Sequence, residues 1–91
     1  MGDKLLTKHP QGKKGVNIDR AKYDTMRATI LRVLAREPLT HNELTTAVEA
    51  ALQGKFDGSI PWYMEATKLD LEAKRTIERV AGKGAATYRL R

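Results

Sequence analysis

Apolar residues recur at intervals of three and four between Asp19 and Arg36, and only one kind of secondary structure uses that spacing. The recurring residues are Tyr23, Met26, Ile30, Val33 and Leu34. In an α-helix they lie on one side, so the segment predicts an amphipathic helix whose apolar stripe packs on a core. Asp19 is a suitable N-cap. The helix should end before Pro38, because the residue ahead of a proline is pushed out of the α region.

A second helix is predicted to begin directly after Thr40. Thr40 and Glu43 stand three residues apart as a capping box, in which each side chain accepts a hydrogen bond from the backbone N–H of the other residue. The apolar stripe of this helix continues through Leu44, Ala47, Val48, Ala51 and Leu52. Gly54 supplies the left-handed residue that commonly follows a helix.

The C-terminal third predicts one more helix and then a hairpin. The third helix should begin near Ser59, which can cap it, and run to about Lys74. The stretch Gly82-Lys83-Gly84 is not a phosphate-binding loop, because Ser or Thr must follow the lysine of such a loop and a helix must follow the loop. Alternating residues on both sides of the glycines predict two short strands joined by a turn. These residues are Ile77 and Val80 before the turn and Thr87, Tyr88 and Leu90 after it.

The length and the charge of the chain indicate a single domain with a basic surface. Ninety-one residues form one domain, and the net charge of +6 is concentrated toward the two ends of the chain, since residues 37–58 carry one basic and four acidic groups. A basic balance of this kind fits a surface that binds a polyanion. The chain lacks an apolar run near the ~20 residues of a membrane span and lacks a signal-peptide core, so we expect a cytoplasmic protein that does not enter a membrane.

The predicted order of elements, three helices followed by a two-stranded β-hairpin, resembles a winged helix-turn-helix domain, an α+β fold that is mainly α. Leu39-Thr40-His41-Asn42-Glu43-Leu44 resembles the start of that fold's second helix, and Leu71-Glu72-Ala73-Lys74-Arg75-Thr76-Ile77 resembles the end of its recognition helix. In this pattern Gly82-Lys83-Gly84 is the tip of the wing, and Pro38-Leu39-Thr40 can add an edge strand.

A closer resemblance is to a family of small uncharacterised bacterial winged-helix proteins, whose Trp-containing third helix ends in Leu-Asp-Leu-Glu-Ala-Lys, as residues 69–74 do here. The resemblance covers residues 16–91, and we expect a winged-helix domain over residues 19–91 after a basic N-terminal arm of residues 1–18. Arg75 departs from the pattern, because most winged helices have a glycine there, and a positive φ would strain an arginine.

The third helix has two apolar faces. Met64, Thr67 and Leu71 fall on one side, and Trp62, Ala66, Leu69 and Ala73 fall on the opposite side. The second face is either buried by the N-terminal segment or the wing, or is a surface for a protein partner or a second copy of the chain.

We expect this protein to bind nucleic acid, most simply double-stranded DNA, as a regulator or accessory factor. The contacts would be phosphate contacts from the arm and the wing, which give affinity without a choice of sequence. The candidate residues are Lys13, Lys14, Arg20 and Lys22 near the arm and Arg79, Lys83, Arg89 and Arg91 around the wing. A third helix inserted into a groove would add Ser59, Tyr63 and Lys68.

The alternative function is a winged-helix module for protein association or dimerisation. Enzymatic activity is not expected, because neither His9 nor His41 has a nucleophile or carboxylate at motif spacing. Two histidines without cysteine make a poor metal site, and no cofactor is implied.

Overall fold

The computed structural model describes residues 3–82 and 84–91, so Lys83 at the predicted wing tip lies outside the described residues. The fold is α+β, with three helices and two small antiparallel sheets. In chain order the elements are β1 (Lys4–Leu6), β2 (Asn17–Asp19), α1 (Arg20–Leu34), β3 (Leu39–Thr40), α2 (His41–Leu52), α3 (Ile60–Ala73), β4 (Ile77–Val80) and β5 (Thr87–Leu90).

The predicted starts of the three helices are confirmed. The Asp19 side chain accepts a hydrogen bond from the backbone N–H of Lys22 at the start of α1. Both hydrogen bonds of the capping box between Thr40 and Glu43 are present at the start of α2, at 2.9 and 3.2 Å. Ser59 caps α3, where its hydroxyl oxygen accepts from the N–H of Trp62 at 3.4 Å. These local signals fix where each helix begins.

The core lies where the three helices meet the C-terminal sheet. Its buried centre is largely apolar and combines residues of α1, α2 and α3 with the first residue of β4 and with Tyr88 of β5. The largest members are Met26, Ile30, Leu44, Val48, Met64, Leu71 and Ile77. The stripes predicted for α1 and α2, and the Met64, Thr67 and Leu71 face of α3, are therefore the sides that face the core.

The C-terminal sheet has the strand order β3-β5-β4, and both pairings are antiparallel. The hairpin pairs Ile77 with Leu90 and Val80 with Thr87. On the other edge of β5, the short strand β3 pairs Leu39 with Tyr88. The predicted hairpin and the predicted edge strand are both confirmed.

The N-terminal arm folds back on itself and lies on α3. Strands β1 and β2 are antiparallel, and Thr7 continues the pairing through two hydrogen bonds with Val16, at 2.8 and 3.0 Å. A Cβ at position 15 would lie 1.7 Å from the Thr7 carbonyl oxygen, so only glycine fits this position. The backbone N–H of Lys8 donates to Asp70 of α3 at 2.8 Å, which attaches the arm to the helix.

Helix α3 ends in a left-handed residue that is not glycine. Arg75 has a φ of 60°. The N–H of Arg75 donates to the Glu72 carbonyl, and the N–H of Thr76 donates to the Leu71 carbonyl, a pairing that closes a helix end around a residue of positive φ. The departure from glycine thus carries a conformational penalty of roughly 1 kcal/mol.

Candidate functional site

Some of the candidate nucleic-acid residues are exposed without a side-chain partner in the described residues, and others contact residues of the protein itself. Lys13 and Lys14 are exposed in the loop between β1 and β2, Arg79 is exposed on β4, and Arg91 is exposed after β5. These four cations come from the arm and the C-terminal hairpin, the two segments that the sequence favoured for phosphate contacts. Lys83, a further candidate, lies outside the described residues.

Three other candidates have partners within the protein. Arg20 forms an ion pair with Asp3, with 2.6 Å between Nε and Oδ2. Arg89 pairs with Glu78, which lies opposite it in the hairpin. The Lys22 ammonium lies 5.2 Å from the centre of the Tyr63 ring. Exposed ion pairs such as those of Arg20 and Arg89 contribute ~1 kcal/mol or less, so a phosphate can compete for these two arginines.

Lys68 is enclosed, although it is a candidate for contact with a groove. Its exposed fraction is 3%, and its Nζ lies 3.1 Å from both His41 Nδ1 and the Tyr88 hydroxyl and 3.0 Å from Glu65 Oε1. An ammonium group only donates, so the Tyr88 hydroxyl oxygen is the acceptor of the hydrogen bond from Lys68. The side chain therefore joins α3 to the start of α2 and to β5, and it does not reach solvent. We call these four residues the Lys68 cluster.

A second buried charge on α3 was not singled out from the sequence. Asp70 is fully buried and accepts hydrogen bonds from the Tyr23 hydroxyl, the Lys74 ammonium at 2.9 Å and the backbone N–H of Lys8 at 2.8 Å. Burial and the neighbouring Asp70 raise the pKa of Tyr23. Partial burial lowers the pKa of Lys74, but the hydrogen bond and the charge of Asp70 outweigh that effect and raise it. We call these four residues the Asp70 cluster.

The outward side of α3 is apolar and acidic. The residues Ala66, Leu69 and Ala73 are half-buried beside the arm, and Trp62 is 49% exposed. Glu72 is half-buried; burial raises its pKa, and the charges of Lys68 and Arg79 partly offset the rise. A phosphate backbone laid along this helix would meet carboxylates and apolar side chains. Ser59, a further candidate, uses its hydroxyl to cap the helix.

A family profile matches residues 4–87 and is described as a family of unknown function, DUF6958. The chain belongs to the DUF6958 family. Comparison with curated proteins and with solved structures found no match. The matched range begins with β1, so the family profile of DUF6958 includes the arm together with the three helices.

Two further observations bear on the chemistry that this DUF6958 protein can perform. Within residues 3–82 and 84–91, no three histidine, cysteine or carboxylate side chains converge as metal ligands would. In the same part of the chain, no helix is both long enough and apolar enough to cross a membrane. The arrangement offers exposed cations on the arm and the C-terminal hairpin and a partly covered apolar face on α3.

Proposed function

We propose that this protein is a cytoplasmic winged helix-turn-helix protein that binds double-stranded DNA through phosphate contacts of the arm and the C-terminal hairpin. The order of three helices and a hairpin, with β3 as an edge strand on β5, supports the winged-helix assignment. The observation that carries the function is the placement of free charge. Lys13, Lys14, Arg79 and Arg91 are exposed on the arm and hairpin, whereas the charged side chains of α3 are paired, buried or acidic.

The mode of binding follows from this distribution of charge. Lysine and arginine side chains that reach phosphates release counterions from DNA, and they do so on every sequence alike. Reading of bases would require polar side chains on α3 that can reach base edges. On the face of α3 beside the arm, Leu69 and Ala73 carry no polar group, and Trp62 offers only its indole N–H. We therefore expect salt-dependent binding with little preference for sequence.

A fluorescence anisotropy titration of unrelated duplexes at several salt concentrations tests this proposal. The variant Lys13→Gln/Lys14→Gln should weaken binding to all duplexes and reduce the slope of log K against log salt by about two units. The matched control is Arg32→Gln/Arg36→Gln, which removes the same charge from exposed positions near the far end of α1. Equal losses in the two variants would show that net charge, and not the arm, determines binding. Loss of only one duplex would contradict backbone binding.

Protein association is the second candidate function, because large apolar side chains are exposed around the arm. Trp62 is 49% exposed, Leu6 is 59% exposed and Val16 is 37% exposed. Light scattering over a range of protein concentrations measures the mass directly. A dimer that becomes a monomer in Trp62→Gln would support association through this surface, whereas a monomer at every concentration would exclude self-association there.

A further inference from the structure

A hollow of about 180 Å³ lies between the arm and α3, and most of it plays no part in the proposed DNA contacts. Its apolar lining consists of Val16 from the arm and Trp62, Ala66 and Leu69 from α3. Its polar lining comes mainly from the arm, with the cations Lys8 and Lys14 beside His9. One side of the hollow therefore suits a hydrocarbon group, and the other suits an anion.

The charge balance of the hollow is positive. Glu65 is the one carboxylate among its described lining residues, and this carboxylate is paired with the buried Lys68 at 3.0 Å. By contrast, Lys8 and Lys14 form no ion pair within residues 3–82 and 84–91. A cation at an apolar surface gains most from an anionic partner that brings its own apolar group.

The arm side of the hollow is held in place before any ligand arrives. Thr7 and Val16 are joined by two hydrogen bonds, and the Lys8 N–H is fixed to the buried Asp70. Gly15 lets the two arm segments approach more closely than any side chain would allow. Preformed walls reduce the entropy that a ligand must lose on binding, which favours a small ligand over a flexible one.

We propose that this hollow binds a small aromatic carboxylate. An apolar cavity of about 150 Å³ accommodates benzene, so the hollow has room for one ring and a carboxylate. The ring would contact the Trp62 indole and Leu69, because aromatic pairs add to the gain from apolar burial. The carboxylate would face Lys14, with Lys8 and His9 nearby. This inference does not depend on DNA binding, although a ligand on Lys14 would compete with phosphate for the same ammonium group.

Trp62 is the only tryptophan in the chain, so its fluorescence reports directly on the hollow. Titration with phenylacetate should give a saturable change, and the neutral isostere phenylacetamide should bind at least about fivefold more weakly because it lacks the charge that pairs with lysine. Inorganic phosphate, which has charge but no ring, should give no saturable change. The same series followed by isothermal calorimetry provides a readout that does not depend on Trp62.

Two variants test the two sides of the hollow. Lys14→Gln should weaken phenylacetate binding about five- to tenfold, whereas Lys13→Gln, the neighbour that does not line the hollow, should leave it unchanged. Ala66→Leu should abolish binding by filling the space, and circular dichroism with the urea midpoint establishes that this variant is folded.

Several results would overturn the proposal. Equal affinity for phenylacetate and phenylacetamide would remove the role of charge, and equal responses to phenylacetate and phosphate would remove the role of the ring. Equal affinity of Lys14→Gln and Lys13→Gln for phenylacetate would show that its carboxylate does not contact Lys14. Absence of saturation with any aromatic carboxylate would show that the hollow is not a ligand site. DNA titrations on the same variants measure DNA binding by itself. Failure of the ligand proposal is therefore distinguishable from failure of the DNA-binding proposal.

Discussion

Lys68 and Asp70 are two residues apart in α3, both are buried, and they join the helix to opposite parts of the protein. Asp70 is bound by a hydroxyl of α1, an ammonium of α3 and a backbone N–H of the arm. Lys68 contacts an imidazole of α2, a hydroxyl of β5 and a carboxylate of α3. The Asp70 cluster attaches the arm to the helices, and the Lys68 cluster attaches the hairpin and α2 to α3. A buried charge in this fold thus serves as a junction between segments distant in sequence.

The two junctions differ in how far their partners are from water. Asp70 is fully buried, and the Tyr23 that donates to it is 5% exposed. The Lys74 side chain is 37% exposed, and in the Lys68 cluster Tyr88 is 8% exposed. The other two partners of Lys68, His41 and Glu65, have side chains that are 40% and 47% exposed, so the Lys68 cluster has more of its partners near solvent. A partner that is already close to solvent can be hydrated when its charge pair is lost. Removal of the buried charge should therefore lower the free energy of unfolding more at Asp70 than at Lys68.

The largest effect is expected from Asp70→Ala. This change leaves the Tyr23 hydroxyl, the Lys74 ammonium and the Lys8 N–H without their acceptor, and loss of one partner of a buried pair lowers stability by ~3–5 kcal/mol. Urea denaturation followed by circular dichroism measures the change. Asp24→Ala, at an exposed position one residue after Tyr23, is the control and should stay within about half a kcal/mol. A loss of similar size in the control would contradict the assignment.

A smaller effect is expected from Lys68→Met. Methionine keeps most of the apolar stem and removes the charge, so the loss comes mainly from the hydrogen bonds of His41 and Tyr88, about 1–2 kcal/mol in total. The same denaturation experiment measures it, with Lys55→Met in the exposed loop after α2 as the control. If Lys68→Met proved as damaging as Asp70→Ala, exposure of the partners would not explain the difference between the clusters.

The sequence predicts the elements of this fold well, because their signals are local. Each helix begins at a residue whose side chain bonds the backbone three residues later, as Asp19, Thr40 and Ser59 do. The hairpin follows from alternation around a glycine turn. Arg75 also shows a local rule at work, because the helix end requires a positive φ there even without glycine.

The clusters could not be predicted in the same way, since their contacts join distant residues. Tyr23 and Asp70 are separated by 47 positions, and Lys68 and His41 by 27. Lys68 stands four residues after Met64 and three before Leu71, so helical spacing places it toward the core side. The general rarity of buried lysines favoured an exposed position instead. The folding of the arm onto α3 likewise depends on Asp70, a contact that no local pattern indicates.

The Asp70 cluster should also make stability fall at alkaline pH. The pKa of Tyr23 and the pKa of Lys74 are both raised above their ordinary values of 10.0 and 10.5. The folded state therefore holds these protons more tightly than the unfolded state does. Their contribution is complete below those ordinary values and is lost as the pH rises through the folded-state pKa values.

Urea denaturation at a series of pH values from about 8 to 11 tests this expectation. Tyr23→Phe should flatten the decline, because phenylalanine has no proton to lose, although Lys74 leaves part of the slope. Tyr63→Phe, a half-buried tyrosine outside the cluster, should keep the full decline. Identical profiles for the two variants would show that the alkaline loss arises elsewhere.

The smallest effect concerns Glu72 of α3, whose carboxylate feels the charges of Lys68 and Arg79. Burial raises the pKa of Glu72 above 4.5, so its contribution to stability is complete below that value and is lost as the pH rises through the folded-state pKa. Glutamine keeps the shape and has no charge to bury. Glu72→Gln should therefore be more stable than the natural protein at neutral pH by about half a kcal/mol or less. The advantage should disappear near pH 4, where Glu72 is itself protonated.

Glu49→Gln, exposed on α2, removes the same charge and corrects for the net charge of the chain. An equal gain in Glu49→Gln, or a gain that persists in acid, would mean that burial of the Glu72 carboxylate does not limit stability.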